Sequence, residues 1–452
     1  MIADEKKQMN LIHELFRELY DGSPDARILC AESRLGELLD GTTFGNGSTI
    51  HRLKVVKGVV YREDIECARL VEDESRDGEL QVFFLKPFMR NAIALSPTSF
   101  FQLLKATKAP PSYFEVLMNN NGVYNSYVVR GSDSVPKDYY LFVKYPFGPF
   151  ANGSFMLHHC FPSGKTSAIV EVTNAQFLAE TIFQTLSSSD SGGTPSASTL
   201  HPFTPFALFV NHLRCLNEDE RQDIDKAICH LESRSGVALH TFGSRSRARI
   251  SEFALLKKEL HMKEALMAMA NHVFSFQARM IDFAVKECEA FSALVPRSST
   301  RLSSHAVTRQ MDFVTASLVQ NGSMATWTLE QLQALGKRLR VQAKVVDGTI
   351  TATDTLTMIR LAQNSQSDSS TMKAITVLTM VFLPATFVCS LFGMGFFDFE
   401  TSPNESKLRI ADQFWIYFVV TIPLTVVVLG TCAAWLKWSG RERDSIGDFP
   451  VK

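Results

Sequence analysis

The chain has 452 residues, 45% of them hydrophobic, with 46 Lys and Arg against 47 Asp and Glu and a formal net charge of −1. That length allows two or three domains and a sizeable core, and the near-zero charge excludes a global attraction to nucleic acid. Eight cysteines, at 30, 67, 160, 215, 229, 288, 389 and 432, form no Cys-x-x-Cys pair, which argues for a reducing setting and against a disulfide or zinc framework.

The first ten residues carry Asp4, Glu5, Lys6 and Lys7 and have no apolar centre, so they read neither as a secretory signal nor as a transit peptide. Short amphipathic helices follow between about 11 and 40, with Leu11, Leu15 and Leu19 and then Leu35, Leu38 and Leu39 at helical spacing. Leu80–Phe88, Ser112–Met118, Ser126–Arg130, Tyr139–Tyr145 and Ser167–Val172 are β-branched or aromatic runs bounded by turn residues, and they predict strands. Asn119-Asn120-Asn121-Gly122 predicts a hairpin turn between two of them. Residues 1–186 thus read as one mixed α/β domain.

Residues 187–199 are rich in Ser, Gly, Thr and Pro and predict an exposed loop. Residues 200–325 predict a helical region: Pro202–Ser233, then Ile250–Leu294, in which Phe253, Leu256, Leu260, Leu266, Met269, Val273 and Phe276 recur at helical intervals. A polar linker, Pro296–Ser304, precedes another helix near His305–Gln320. Residues 326–373 predict a stalk helix on which Leu332, Leu335, Leu339, Ala343, Val346 and Ile350 step by threes and fours. From Thr351 to Thr371 this stripe fades into Thr, Ser, Gln and Asn, which fits either a water-filled vestibule or a poorly helical connector.

The rest of the chain is organised around two uncharged runs, 21 residues from Ala374 to Met394 and 24 from Gln413 to Leu436. Each is long enough for a helix to cross a hydrocarbon core of about 30 Å. They define two spans, 374–394 and 413–436, an outer loop, 395–412, and a tail, 437–452. Lys373 before the first span and Lys437, Arg441 and Arg443 after the second favour a cytosolic placement of both flanks, and Trp415, Tyr417, Trp435 and Trp438 fit interfacial belts. At about 100° per residue, Met372, Ile375, Thr379, Leu383, Thr386, Ser390 and Gly393 fall within an arc of about 80°. Val377, Leu378, Val381, Ala385, Val388 and Phe392 lie opposite. Hydroxyls in a membrane helix commonly bond their own backbone or a neighbouring helix. A hydroxylated stripe lines water only if several copies assemble around an axis. Pro384 cannot donate to the carbonyl of Met380, so a bend is expected there.

The run from Met372 to Phe387, followed by Gly393-Met394-Gly395-Phe396-Phe397, resembles the first pore helix of the CorA-like magnesium transporters, in particular their divergent fungal branch. The close resemblance covers about 70 residues. It implies an α+β chain with an N-terminal cytosolic α/β domain, long stalk helices and two C-terminal transmembrane helices, assembled as a homopentamer with both termini in the cytosol. Met372, Ile375, Leu383 and Thr386 match pore-facing positions of that family, and Gly393-Met394-Gly395 matches its Gly-Met-Asn signature. The departure is Gly395. An Asn there would ring the pore mouth with amide oxygens that hold a hydrated cation, whereas glycine brings no side chain and only backbone carbonyls could substitute.

Other candidate chemistry is thin. Gly164-Lys165-Thr166 resembles the end of a phosphate loop, but the glycine required five residues earlier is His159, so a turn is expected. His158 and His159 are neighbours that a strand would point to opposite faces, which leaves them poorly placed to share a metal. The sequence contains no His-Glu-x-x-His, nucleophile elbow or dinucleotide fingerprint, and an enzyme tethered to the membrane lacks a recognisable site. Asp398, Glu400, Glu405 and Asp412 outnumber Lys407 and Arg409 in the outer loop and would concentrate cations at a pore mouth if repeated around an axis. Asp347, Asp354 and Asp368 in the stalk read either as intersubunit cation sensors, in line with the family resemblance, or as solvent-facing charges.

The sequence therefore predicts a passive divalent-cation channel or transporter of the Mg2+ type, driven by the membrane potential. It is expected to be no enzyme, to need no cofactor beyond the transported ion, and to have as partners its own copies and the bilayer, with the plasma membrane favoured and no nucleic acid. The alternative is a non-transporting, membrane-anchored interaction protein that keeps the fold. No resident metal ligand can be assigned.

Overall fold

The structure is a computed structural model, and it describes residues 2–20, 42–56, 59–70, 80–85, 87–89, 92–187, 201–235, 252–295, 304–391, 397–402, 405–410 and 414–444. It divides into two compact units, 1–347 and 348–452. The architecture is α+β, with a mixed α/β N-terminal region, long helices and two C-terminal apolar helices.

The first unit begins with α1 (Ile2–Tyr20), β1 (Thr43–Gly47), β2 (Thr49–Val56), β3 (Val59–Glu66), the one-turn α2 (Cys67–Leu70), β4 (Leu80–Leu85), β5 (Pro87–Met89) and β6 (Ala92–Leu95). There follow α3 (Pro97–Ala106), α4 (Ser112–Leu117), β7 (Val123–Arg130), β8 (Pro136–Lys144), β9 (Gly153–Cys160), β10 (Lys165–Val172) and α5 (Ala175–Ser187). Seven strands form one sheet in the order β3-β2-β4-β10-β9-β8-β7, and three form a small one, β1-β6-β5. In the large sheet β4 and β10 run parallel and the other neighbours antiparallel.

Helices cover both faces of the large sheet. Phe83, Leu85, Phe142, Met156 and Ile169 share a core with Ile12 of α1, Phe100, Phe101 and Leu104 of α3, and Tyr113 and Phe114 of α4. On the other face Phe155 packs against Phe206 and Phe209, and Tyr139 against Phe291. Five consecutive residues of β8, Tyr139–Val143, are buried, as a strand between two helical layers requires. Ser96 starts α3 as its N-cap, its hydroxyl accepting from the Ser99 N–H at 3.3 Å, with Pro97 at the first helical position.

Two expectations fail here. Ser112–Met118 was expected as a strand, but Ser112–Leu117 is helix α4. Pro110 and Pro111 precede it, Tyr113 and Phe114 donate their N–H groups to the two proline carbonyls, and Tyr113, Phe114, Val116 and Leu117 enter the core. A short apolar run does not fix its own period. Consequently Asn119–Gly122 joins a helix to a strand rather than two strands, with Asn121 N–H donating to Asn119 Oδ1 at 2.9 Å and Gly122 at φ +86. Strands β2 and β3 were not expected; β3 is a charged sheet edge, and edge strands hide behind that pattern.

Three long helices complete the unit: α6 (Thr204–Ser235), α7 (Phe253–Leu294) and the N-terminal part of α8 (Ser304–Leu391). On α7 Phe253, Leu256, Leu260, Val273 and Phe276 are buried as expected, but Met269 is exposed and Met267 takes the core position. On α8 Leu332, Leu335, Leu339 and Val346 are buried. Polar side chains cross between these helices: Arg338 donates to Asp225 at 2.9 Å and to Glu232 at 2.8 Å, and Ser235 donates to Gln342 at 2.6 Å. Residues 188–200 and 296–303, expected as loop and linker, and the second expected helix of 11–40 lie outside the described residues.

In the second unit α8 continues to Leu391, followed by β11 (Phe397–Ser402), β12 (Glu405–Ile410) and α9 (Phe414–Asp444). The stretch from Thr351 to Thr371 is helical throughout. It contains no Gly or Pro, and Thr353, Thr355, Thr357 and Thr371 each donate their hydroxyl to the carbonyl four residues back, which seals the backbone of an exposed helix.

Candidate functional site

The candidate site lies on the last five turns of α8. This helix segment and α9 are the two described helices long and apolar enough to cross a membrane. The fractional exposure of three residues that match pore-facing positions is high within the single chain: Met372 72%, Ile375 57% and Leu383 67%. Thr379, Thr386 and Ser390 are exposed as well. Exposure alone does not single out this stripe, because Val377, Leu378 and Val381 on the other side are also uncovered.

The discriminating observation is where α8 is covered. Pro384 and Val388 are buried, and Met380 and Ala385 are half-buried. On a helical projection those four centre on the side away from the arc of Met372, Ile375, Thr379, Leu383, Thr386 and Ser390. The facing side of α9 is marked by Thr421, which is buried, and by half-buried Leu424, Thr425 and Val428 at helical spacing. The Tyr417 hydroxyl meets the Cys389 thiol. So α8 is covered on the side opposite the hydroxyl stripe, α9 meets it at Cys389, and the stripe is exposed. Sequence reasoning passed over this polar side of the second span; Tyr417, Thr421 and Thr425, four residues apart, were its signal.

The hydroxyls are already anchored. Thr379 donates to the carbonyl of Thr376 at 2.9 Å, and Thr386 to those of Phe382 and Leu383 at 3.0 Å each. A threonine hydroxyl has one proton and two lone pairs. With the proton committed to the backbone, the oxygen is presented to the open side as an acceptor, the polarity a cation or its water shell requires. The helix is continuous through Pro384.

The outer segment differs from the expected loop. β11 and β12 form an antiparallel hairpin whose register sets Asp398 opposite Arg409, Glu400 opposite Lys407 and Glu405 opposite Ser402. Alternating apolar and polar residues, Phe397 to Glu400 and Leu408 to Ile410, explain the pairing. By register Asp398 and Glu400 stand across the ladder from the two bases, Arg409 and Lys407. Asp412 and the signature Gly393-Met394-Gly395 lie outside the described residues.

In the first unit the remaining candidates are structural. His158 and His159 point to opposite faces, His158 Nε2 lying 2.8 Å from Asp138 and His159 Nδ1 2.8 Å from Thr166. Gly164 sits in the β9–β10 turn at φ +66. A cavity of about 850 Å3 opens among Ile50, His51, Arg62, Asp64, Phe84 and Asn174. Its charged side chains are paired, His51 with Asp64 at 2.8 Å inside the lining, and Arg62 with Glu180 and Glu63 with Arg52, each at 2.6 Å, with partners outside it. Asp347 is bridged to Lys257 at 2.7 Å, while Asp354 and Asp368 are exposed. Among the described residues no three or more His, Cys, Asp or Glu side chains gather to hold a metal, and Cys67, Cys160, Cys215, Cys229, Cys288, Cys389 and Cys432 are free thiols.

Residues 252–437 match the family model described as CorA-like Mg2+ transporter protein. This segment, less than half of the chain, is similar to that family. It runs from α7 through both apolar helices and so contains the whole open stripe. A 65-residue stretch is 46% identical to "Notoamide biosynthesis cluster protein M'" of Aspergillus versicolor, a match that spans 14% of this chain and 14% of that one. Among solved structures, the full-length CmaX protein aligns with a TM-score of 0.41 at 14% identity, over 88% of this chain and 98% of its own. The CorA magnesium transporter from Methanocaldococcus jannaschii aligns with a TM-score of 0.33 at 9% identity, over 85% of this chain and 97% of its own.

Proposed function

We propose that the chain is a homo-oligomeric, passive channel for divalent metal cations of the Mg2+ type, with five copies around one axis. The observation that carries this reading is the sidedness of α8 in the matched segment: Pro384 and Val388 are buried on one flank, and the flank bearing Thr379, Thr386 and Ser390 is exposed. Met372, Ile375 and Leu383 form apolar rings in the assembly, and the threonine oxygens between them receive the ion with its water shell. Mg2+ sheds water reluctantly, so acceptors that bind the shell suit it better than a tight protein cage. The membrane potential supplies about 2.3 kcal/mol per charge per 100 mV, hence about 4.6 kcal/mol for a divalent ion, and no nucleotide site is needed. Both flanks of the spans face the cytosol, and the metal is cargo rather than a resident cofactor.

Cation flux into liposomes containing the purified full chain tests the reading. We expect Mg2+ or another divalent ion to enter at a rate that rises with inside-negative potential. Absence of any such flux overturns the channel and favours a membrane-anchored interaction protein. One residue supports that second reading: Gly395 offers no amide where the resemblance expects one. Gly395→Asn is accordingly expected to raise Mg2+ flux, and an unchanged or lower rate would remove the signature from the mechanism.

A further inference from the structure

Both parallel strand pairs of the first unit end at one cavity. β4 and β10 run side by side in the same direction, and so do β1 and β6. Phe84 and Leu85 at the carboxyl end of β4, Gly47 at that of β1, Ala94 and Leu95 at that of β6, and Asn174, two residues beyond β10, all line the space of about 850 Å3. Between β4 and β10 the strand order also reverses, running to β2 and β3 on one side and to β9, β8 and β7 on the other. Open α/β sheets place ligands outside the carboxyl ends of their strands at such a reversal. Ligand cavities commonly measure about 300–1,000 Å3, so this one has room for a small organic molecule.

We propose that this cavity binds an uncharged aromatic molecule whose ring rests on the apolar lining and whose polar edge meets neutral side chains. Ile50, Phe84, Leu85 and Leu95 supply the apolar lining and are buried. The His51 ring stands beside Phe84 at 5.9 Å between centroids, a spacing at which rings pack on rings. Thr49, Asn174 and Gln176 are exposed residues of the lining that carry hydrogen-bonding groups without charge. An amide side chain both donates and accepts, so the ligand edge it suits has a donor and an acceptor together. The charges in the lining decide against an ion. His51 is held by Asp64, Arg62 by Glu180 and Glu63 by Arg52. An ionic ligand taken out of water needs an opposite charge of its own, and among the described residues each charged side chain of the lining already has a partner. No residue of the proposed pore takes part, so this site stands or falls apart from the channel reading.

Saturation-transfer NMR on the full chain in lipid nanodiscs, with empty nanodiscs as the control, tests this with three probes built on one ring. Benzamide is neutral, benzoate is an anion and benzylammonium is a cation. Benzamide is expected to bind saturably and at least about tenfold more tightly than either ion, because neither finds a free countercharge. Gln176→Trp, at an exposed position in the first turn of α5, should fill the cavity and abolish benzamide binding. Thr49→Tyr should do the same from β2, so that one folded variant is enough for the test. Three results overturn the proposal: no saturable binding of benzamide, binding that a folded filling variant retains, or an ion that binds as tightly as benzamide. Tighter binding of benzoate would make the cavity an anion site instead.

Discussion

The two units bury opposite kinds of surface. In the first, Phe142, Phe155, Leu318 and Leu335 are almost fully enclosed, and charges are kept outside or paired. In the second, Ile375, Leu383, Val419 and Val426 stand uncovered while Thr421 is turned inward. The same apolar residue types are therefore solved by the chain itself in one unit and left to lipid or to further copies in the other. Water suits the first pattern, and a bilayer suits the second.

Truncation should separate the two most strongly. Phe142→Ala removes a ring that is 1% exposed and is expected to cost about 3–5 kcal/mol in the unfolding of the first unit. Leu383→Ala, on the open stripe, should leave that transition unmoved and act on ion flux instead. A large loss of first-unit stability from Leu383→Ala would erase the distinction.

Acid should also act on one unit only. Burial holds His159 and His201 down at about 4, from the usual 6.5. The unfolded chain takes up protons on both rings below about pH 6.5 and the folded chain only near pH 4, so the unfolded state binds more protons in between. Stability supplied by the neutral rings is complete above pH 6.5 and is lost as the pH falls toward 4. Thermal unfolding of the first unit should therefore drop across that window. His201→Asn should make the drop shallower, because an amide oxygen can still accept from the Phe203 N–H that His201 Nδ1 now receives at 3.2 Å. A slope identical to that of the unchanged chain would contradict this.

The smallest effect expected is at Gly348, where α8 passes between the units. A Cβ there meets nothing within 4 Å, so Gly348→Ala should stabilise the helix by about 1 kcal/mol or less, read as a small rise in melting temperature. A fall would place a neighbouring copy against that position.

What was legible in the sequence follows the same division. The spans and stalk were readable because their period or length is uninterrupted over tens of residues, as in Leu332, Leu335, Leu339 and Val346. The sheet was only half readable. Strand β3 carries Arg62, Glu63 and Asp64 because an edge is solvated, and Ser112–Leu117 became a helix because two prolines and the aromatic core decided it, not β propensity. The outer hairpin was missed because its strands alternate charged with aromatic or aliphatic residues over only six positions. At the site, the stripe was visible as an arc on a wheel, but the covered side of α8 was not. That depended on packing between two helices whose lipid-like faces look alike in sequence.

Cysteine accessibility tests the central claim most directly. Single cysteines at Thr379, Thr386 and Ser390, and for contrast at Val377 and Val381, would be placed in a full-length background with Cys389 and Cys432 replaced, reconstituted in liposomes and exposed to a charged, membrane-impermeant thiol reagent. Modification of the first three and protection of the last two is the predicted pattern, with the rate slowed by divalent cations. Protection of the three hydroxyl positions, or a monomeric particle, would contradict it.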